Sequence, residues 1–189
     1  MDMPYSSRTV QLSSLDPPGT QRKLTIPFAF TKQRPDRCKL LKAFPHMKPF
    51  DTLPRLLIPS SRYAWRPPRM FYAWPAPQKT MLDFAKKHKL VKRARGGINL
   101  HWTLRRALCA MIRTDDLAQD ISPDFLYLRG SLVGAKDGIT LLVALYSNYD
   151  VKRGDILSDE TVEKIRERLG VEGRPKWYLD CCDGIWEER

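Results

Sequence analysis

Cationic and aromatic side chains alternate between residues 62 and 72, a combination that suits contact with nucleic acid. Lysine and arginine neutralise phosphates, and flat aromatic rings stack on unpaired bases. The side chains of this first cluster are Arg62, Tyr63, Trp65, Arg66, Arg69 and Tyr72. For any single ring, packing on protein is the simpler interpretation. For the segment as a whole, the pattern predicts contact with RNA.

A second cationic cluster leads into two adjacent glycines, Gly96 and Gly97. Its members are Lys86, Lys87, Lys89, Lys92, Arg93 and Arg95. Glycines let backbone amides approach a phosphate closely, so phosphate contact and plain solvation are equally favoured here. The loop is not of the GxxxxGK[ST] nucleotide-binding type, because that pattern is absent and no strand precedes the glycines.

Arg105 and Arg106 continue the basic region on the exposed side of the next predicted helix. Helix, basic loop and helix loosely resemble a helix-turn-helix unit, in which these arginines would enter a DNA major groove. The connection is too long for such a unit, and Trp102 with its neighbouring leucines indicates a helix that faces the core. RNA binding or general backbone binding is therefore favoured over DNA readout.

Residues suited to metal binding or catalysis are too dispersed to predict an enzyme. No pair of cysteines or histidines has the spacing of metal ligands. Asp180 and Asp183, three residues apart in a predicted turn, are expected to be ordinary surface carboxylates, and Cys109 is expected in the core beside Leu108. The sequence predicts no catalytic residue, no metal, no cofactor and no small-molecule substrate.

The charges are segregated along the chain. Residues 1–113 hold 23 Lys/Arg and 5 Asp/Glu, a net charge of +18, whereas residues 114–189 hold 10 and 16, a net charge of −6. Residues 1–77 and 78–113 each contribute +9. This segregation predicts one part that faces a polyanion and another part with a different surface. The acidic part is expected to be a solvated face rather than a docking surface.

Proline is concentrated in the first part of the chain. Residues 1–77 contain 13 of the 15 prolines, which leaves little room for helices of normal length. Gly19 is the only glycine there, so the segment differs from a flexible Gly/Ser linker. Its apolar groups would gain from burial. We therefore predict a long, mostly extended basic arm over residues 1–77 that becomes ordered against a partner.

Residues 78–189 are predicted to form a small α+β domain of order α-α-β-β-α. Its first part, residues 78–113, holds two basic helices, the second of them capped by Asn99. Its acidic part, residues 114–189, holds two strands at about 125–129 and 139–146, joined by a hairpin with glycines. A last helix follows, capped by Ser158 and ended by Gly170, and the segment after it could add a short strand.

Three features of the sequence bear on the compartment in which the chain is found. No apolar run approaches the roughly 20 residues that cross a bilayer, and the first residues lack the apolar core of a secretory signal. The four cysteines lack CxxC spacing and are expected to be reduced thiols in an intracellular compartment. Of mitochondrion and cytoplasm, the mitochondrion is favoured.

Together these features predict a non-catalytic structural component of a large ribonucleoprotein. The favoured particle is a ribosome, including a mitochondrial one, in which arm and helices bind rRNA phosphates and the domain contacts neighbouring proteins. Two alternatives stay open: an accessory subunit of a large protein complex, and a DNA-binding regulator that uses residues 78–113. An enzyme without a known motif is a third.

Overall fold

A computed structural model describes residues 13–30, 36–61, 64–112, 117, 121, 124–131, 133, 139–153 and 155–188, which form a small α+β domain. The helices are α1 (Arg37–Ala43), α2 (Gln78–Lys87), α3 (Leu100–Ile112) and α4 (Asp159–Leu169). The strands are β1 (Trp65–Arg66), β2 (Met70–Pro75), β3 (Arg93–Ala94), β4 (Gly97–Ile98), β5 (Tyr127–Ser131), β6 (Thr140–Ser147), β7 (Lys176–Leu179) and β8 (Glu187–Glu188). Short 3-10 helices occupy Phe44–His46 and Arg55–Leu57.

Four strands form the central antiparallel sheet, in the order β5-β6-β2-β7. Tyr72 of β2 lies opposite Tyr146 of β6 on one side and Trp177 of β7 on the other. The register of β2 against β6 shifts between Tyr72 and Ala73, which marks a β-bulge. Two smaller ladders, β1 with β8 and β3 with β4, lie outside this sheet.

Strand β2 corrects the predicted domain boundary at Pro77. Every residue from Met70 to Trp74 is buried, and β2 is hydrogen-bonded to a neighbour on each side. The prolines around it bound the strand instead of preventing it, because Pro75 is its last residue and Pro67 and Pro68 precede it. The folded domain therefore includes residues that the sequence assigned to the arm.

Residues before β1 also pack on this domain. Leu53 and Leu57 are fully buried, and Phe28 is nearly so. The indole Nε1 of Trp177 donates a hydrogen bond to the carbonyl oxygen of Ser14 at 2.8 Å. The described part of the predicted arm thus buries apolar side chains in the core of its own chain. Residues 1–12, 31–35, 62 and 63 of that arm lie outside the described residues.

The predicted helix ends are confirmed by their capping contacts. The Asn99 side chain accepts a hydrogen bond from the Trp102 amide at 3.1 Å, and Ser158 accepts one from the Thr161 amide at 3.1 Å. Gly170 ends α4 in the left-handed conformation, with φ of 62°. The predicted strands are present as β5 and β6, while the hairpin residues 134–138 lie outside the described part of the chain.

Both outer strands of the sheet form hydrogen bonds with backbone groups outside the sheet. Phe50 and Trp177 of β7 exchange two backbone hydrogen bonds, of 3.0 and 2.7 Å. At the opposite edge, the Cys181 amide donates to the carbonyl oxygen of Gly130 in β5 at 3.1 Å. A Cβ on Gly130 would come within 2.7 Å of Ile139 Cγ2 and 3.0 Å of Cys181 Sγ, so glycine is needed for this approach.

Helices α2 and α3 pack against each other, and α3 also contacts α4 and β5. Met81 and Ala85 of α2 are buried, as are Leu104 and Leu108 of α3. Their spacing of three or four residues places these apolar side chains on one face of each helix. The remaining faces, together with the β3–β4 hairpin between the helices, are exposed to solvent. Among the described residues, no helix is long and apolar enough to cross a membrane.

Candidate nucleic-acid interface

The exposed faces of α2 and α3 and the hairpin between them carry the second cationic cluster. We define the basic surface as these exposed side chains: Lys86, Lys87, Lys89, Lys92, Arg93, Arg95, Arg105 and Arg106. Helical periodicity explains the contributions of α2 and α3, because the cations fall between the buried apolar positions. The structure therefore brings together the residues that the sequence placed in a basic loop and on the following helix.

The β3–β4 hairpin carries part of the basic surface, and both of its strands are exposed. Arg93 pairs with Ile98 and Ala94 with Gly97, so Arg95 and Gly96 form the turn. Gly96 has φ of 94° and Gly97 has φ of 140°, values that favour glycine. No other group lies within 4 Å of the position a Cβ would take at either glycine. The backbone of the turn is therefore open to an approaching ligand.

The hairpin is fixed to the start of α3 by hydrogen bonds. The amide of Lys92 donates to Thr103 Oγ1 at 3.0 Å, and the amide of Asn99 donates to the carbonyl oxygen of Lys92 at 2.8 Å. Thr103 is fully buried. The two ends of the hairpin are thus held against a buried residue, which limits its movement relative to α3.

The cations of the basic surface have few anionic partners. Lys86 forms an ion pair with Asp83, with 3.7 Å between its Nζ and the carboxylate oxygen. Of the residues that the structure describes, none places a carboxylate within 4 Å of the other charged groups on this surface. Their charge is therefore not neutralised by close carboxylate contacts within the described fold, and it is available to an external anion.

A groove lies along α3 at the edge of the basic surface. Its volume is about 450 Å³. It is lined by Leu90, Trp102, Arg105, Arg106, Cys109 and Ala110. The Trp102 side chain is 49% exposed, and the guanidinium carbon of Arg105 lies 5.2 Å from the centroid of its ring. This pairs an aromatic surface with cations that lack carboxylate partners.

Trp102 and Cys109 correct two expectations from the sequence. Trp102 was expected to face the core and Cys109 to be buried beside Leu108, but both are exposed in the groove. The signal was present in the spacing: Trp102, Arg105, Arg106 and Cys109 follow positions i, i+3, i+4 and i+7. They form a second stripe on α3, distinct from the buried one.

The first cluster does not form a comparable cationic surface among the described residues. Trp65 is half-buried, with its ring edge-on to Phe30 at a centroid distance of 5.7 Å. Arg66 is exposed in the β1–β8 ladder, opposite Glu187. Arg69 pairs with Asp183 at 3.4 Å. The predicted site residues Arg62 and Tyr63 lie outside the described residues.

Tyr72 is a core residue, which corrects its assignment to the RNA-contacting cluster. Its side chain is 5% exposed, and its ring centroid lies 5.2 Å from that of Tyr146 and 5.2 Å from that of Trp177. Burial raises the pKa of Tyr72 to about 12. A ring enclosed in this way cannot stack on an RNA base without unfolding the sheet.

Asp180, Cys181 and Cys182 bring three potential metal ligands within 4.8 Å of one another. The two Sγ atoms are 3.6 Å apart, and both cysteines are free thiols. Burial, with the neighbouring Cys182 thiol, raises the pKa of Cys181 to about 12. In the folded chain the free Cys181 thiol is therefore protonated at neutral pH, a form that is less nucleophilic than the thiolate.

Comparison with protein-family models, with curated proteins and with solved structures finds no match to this chain.

Proposed function

We propose that the chain is a non-catalytic, RNA-binding structural component of a large ribonucleoprotein particle. The favoured particle is a ribosome, including a mitochondrial one. The proposal rests on one observation: the basic surface gathers exposed cations that lack carboxylate partners within 4 Å among the described residues, apart from Lys86 with Asp83. When such cations neutralise the phosphates of a nucleic acid, the counterions condensed on those phosphates are released. This release is the main source of sequence-independent affinity for nucleic acid.

The shape of the basic surface favours RNA backbone over a DNA major groove. Residues 88–99 connect α2 and α3 through the β3–β4 hairpin, whereas a helix-turn-helix unit joins its helices by a tight turn of about 3–4 residues. An exposed basic turn with open glycines suits phosphates of an irregular RNA surface.

The roles of the residues follow from their side chains. The lysines of α2 supply point charges for phosphates, and Arg93 and Arg95 can bind phosphate oxygens with two parallel hydrogen bonds. The open turn at Gly96 and Gly97 lets a phosphate reach the backbone. None of these groups is arranged for chemistry on the RNA, so their role is to bind and position.

The experiment is sedimentation of the tagged full-length chain from its native cells. We expect it to co-sediment with an RNA-containing particle in 0.5 M salt and to be released by ribonuclease, because an assembled RNA surface holds it there. Sedimentation in a large assembly that ribonuclease does not alter would contradict the proposal and support an accessory subunit of a protein complex. Purified protein that prefers one DNA duplex over structured RNA would contradict it in favour of a DNA-binding regulator.

A further inference from the structure

We propose that the groove along α3 binds an unpaired RNA base, which stacks on Trp102. This inference rests on the proposed function and names the RNA element that the basic surface recognises. It predicts that single-stranded or bulged RNA is bound more tightly than a continuous duplex of the same charge.

The groove combines the two features that a nucleotide requires. Trp102 supplies exposed aromatic surface, and Leu90 and Ala110 supply apolar walls. Arg105 and Arg106 line the same groove, and no described carboxylate lies within 4 Å of their guanidinium groups. A ligand that matches both must have a flat, weakly polar face and carry negative charge. An unpaired nucleotide has this chemistry, with its base against the ring and its phosphate beside the arginines.

The backbone that carries Trp102 is held in place within α3. Its amide is hydrogen-bonded to the Asn99 side chain, so it sits in the capped first turn of α3. The next turn is anchored by Leu104 and Leu108, which are 0% and 2% exposed. Arg105 lies over the ring at 5.2 Å, which keeps its guanidinium close to the groove. Because the backbone at Trp102 is already ordered, binding does not have to order this part of the chain, which favours affinity.

A base inside a duplex cannot use this site, because both of its faces are covered by stacked neighbours. Only a base in a single strand, bulge or loop can be laid against the ring. The described residues that line the groove include no carboxylate or amide side chain to read the base edge. The site is therefore expected to accept different bases with similar affinity, as stacking platforms do.

The experiment compares Trp102→Ala with the wild-type chain for two RNAs, a 12-nucleotide single strand and a blunt-ended duplex of two complementary 12-nucleotide strands, at one salt concentration. We expect affinity for the single strand to fall on the order of 10-fold, as alanine substitution of a base-stacking ring generally causes. Affinity for the duplex should change by less than about 2-fold, because phosphate contacts are unaltered. Trp102→Phe should restore most of the loss.

Leu56→Ala is the matched control, since Leu56 is also about half exposed, at 48%, but lies in a 3-10 helix and does not line the groove. It should leave both affinities unchanged. If Trp102→Ala binds both RNAs as wild type does, the stacking inference is overturned while RNA binding by the basic surface stands. If the wild-type chain binds neither RNA, the proposed function fails and this inference with it.

A second readout places the base in the groove. Cys109 lines the groove and is exposed, whereas Cys38 is exposed in α1 and does not line it. Saturating single-stranded RNA should slow alkylation of Cys109 in the folded chain several-fold and leave Cys38 unaffected, as site-resolved mass spectrometry would measure. Equal alkylation rates at Cys109 with and without bound RNA would overturn the proposal.

Discussion

The basic surface and the surface around α4 both carry several cations, but ion pairs with carboxylates are much more frequent at the second. At α4, Lys164 pairs with Glu160 at 2.8 Å and Arg166 with Glu163 at 2.6 Å. Nearby, Arg153 lies within 4 Å of three carboxylates, those of Asp124, Asp150 and Asp155. On the basic surface the one described ion pair is that of Lys86 with Asp83. The two surfaces therefore differ in how many of their cations are paired with carboxylates.

Lys164 and Arg166 of α4 form ion pairs with carboxylates of the same helix. A hydrogen bond from Lys164 lowers the pKa of Glu160, and one from Arg166 lowers the pKa of Glu163. These helix-spaced pairs are exposed, so each adds little to stability. Two expectations follow. Substitutions on the basic surface should weaken RNA binding and spare the fold, and substitutions in the sheet or α4 should do the reverse.

The largest expected effect comes from removing a buried ring of the sheet. Tyr72→Ala should lower the free energy of unfolding by about 3–5 kcal/mol, because it leaves a cavity between Tyr146 and Trp177. Urea unfolding measures the loss. The exposed-ring control, Trp102→Ala, should lower it by less than about 1 kcal/mol. A Tyr72→Ala chain that is as stable as the wild type but binds RNA more weakly would contradict the assignment of Tyr72 to the core and of RNA binding to the basic surface.

The next effect is on RNA affinity. The triple variant Lys87→Glu, Arg93→Glu and Arg95→Glu should weaken RNA binding on the order of 100-fold in about 0.1 M salt, because it removes three phosphate contacts. The slope of log K against log salt should fall by about 2–3. Filter binding or fluorescence anisotropy over a salt series measures both quantities.

A triple variant at cations outside the basic surface is the control for charge. Lys152→Glu, Arg166→Glu and Lys176→Glu change the net charge by the same amount, but Arg166 and Lys176 are paired with carboxylates and Lys152 donates to the carbonyl of Pro59. This variant should keep the salt slope of the wild type. If both triple variants lost the same amount of RNA affinity, binding would depend on net charge alone. The proposed difference between the two surfaces would then be contradicted.

Alkaline pH should destabilise the sheet through its tyrosines. Burial raises the pKa of Tyr72 and of Tyr127 to about 12, whereas an unfolded tyrosine titrates near pH 10. The folded state therefore keeps protons that the unfolded state releases, so stability is fully present below about pH 10 and falls as pH rises towards 12. The slope is at most about 1.4 kcal/mol per pH unit for each tyrosine. In urea unfolding at several pH values, Tyr72→Phe should give a shallower decline, and an unchanged slope would contradict this origin.

The smallest effects distinguish two glycines with positive φ. Gly170→Ala, at the end of α4, should lower the free energy of unfolding by about 1 kcal/mol, because its φ of 62° is unfavourable for alanine. Gly96→Ala, in the exposed turn, should change stability less and weaken RNA binding a few-fold by altering the turn. Calorimetry and anisotropy on both variants test this, and the opposite pattern would contradict the assignment of the hairpin to RNA.

The sequence predicts local features of the fold better than it predicts strand β2. The helix ends at Asn99, Ser158 and Gly170 are predictable because capping depends on residues only three or four positions apart. Strand β2 is buried throughout from Met70 to Trp74, so it lacks the alternation of polar and apolar residues that identifies a half-buried strand. The prolines at its ends reinforced the impression of an arm. Its place between β6 and β7 depends on pairing with residues more than 60 positions away.

The candidate site could be predicted in part. The cations of the basic surface are recognisable because lysine and arginine are rarely buried without a partner. The groove was missed because a tryptophan among leucines on a helix resembles a core residue in the sequence. Only the packing of α2 against α3 shows that Leu104 and Leu108 face inward and Trp102 does not. Similarly, the burial of Tyr72 depends on Tyr146 and Trp177, which are distant in the sequence and belong to other strands.

The hydrogen bonds at the two outer strands of the sheet have a consequence for how the chain behaves at high concentration. An open strand edge is a template for other extended chains and promotes aggregation and strand exchange. Here Phe50 occupies the edge of β7 at Trp177, and Cys181 meets β5 at Gly130. We therefore expect these contacts to hinder the pairing of another strand at both edges of the sheet.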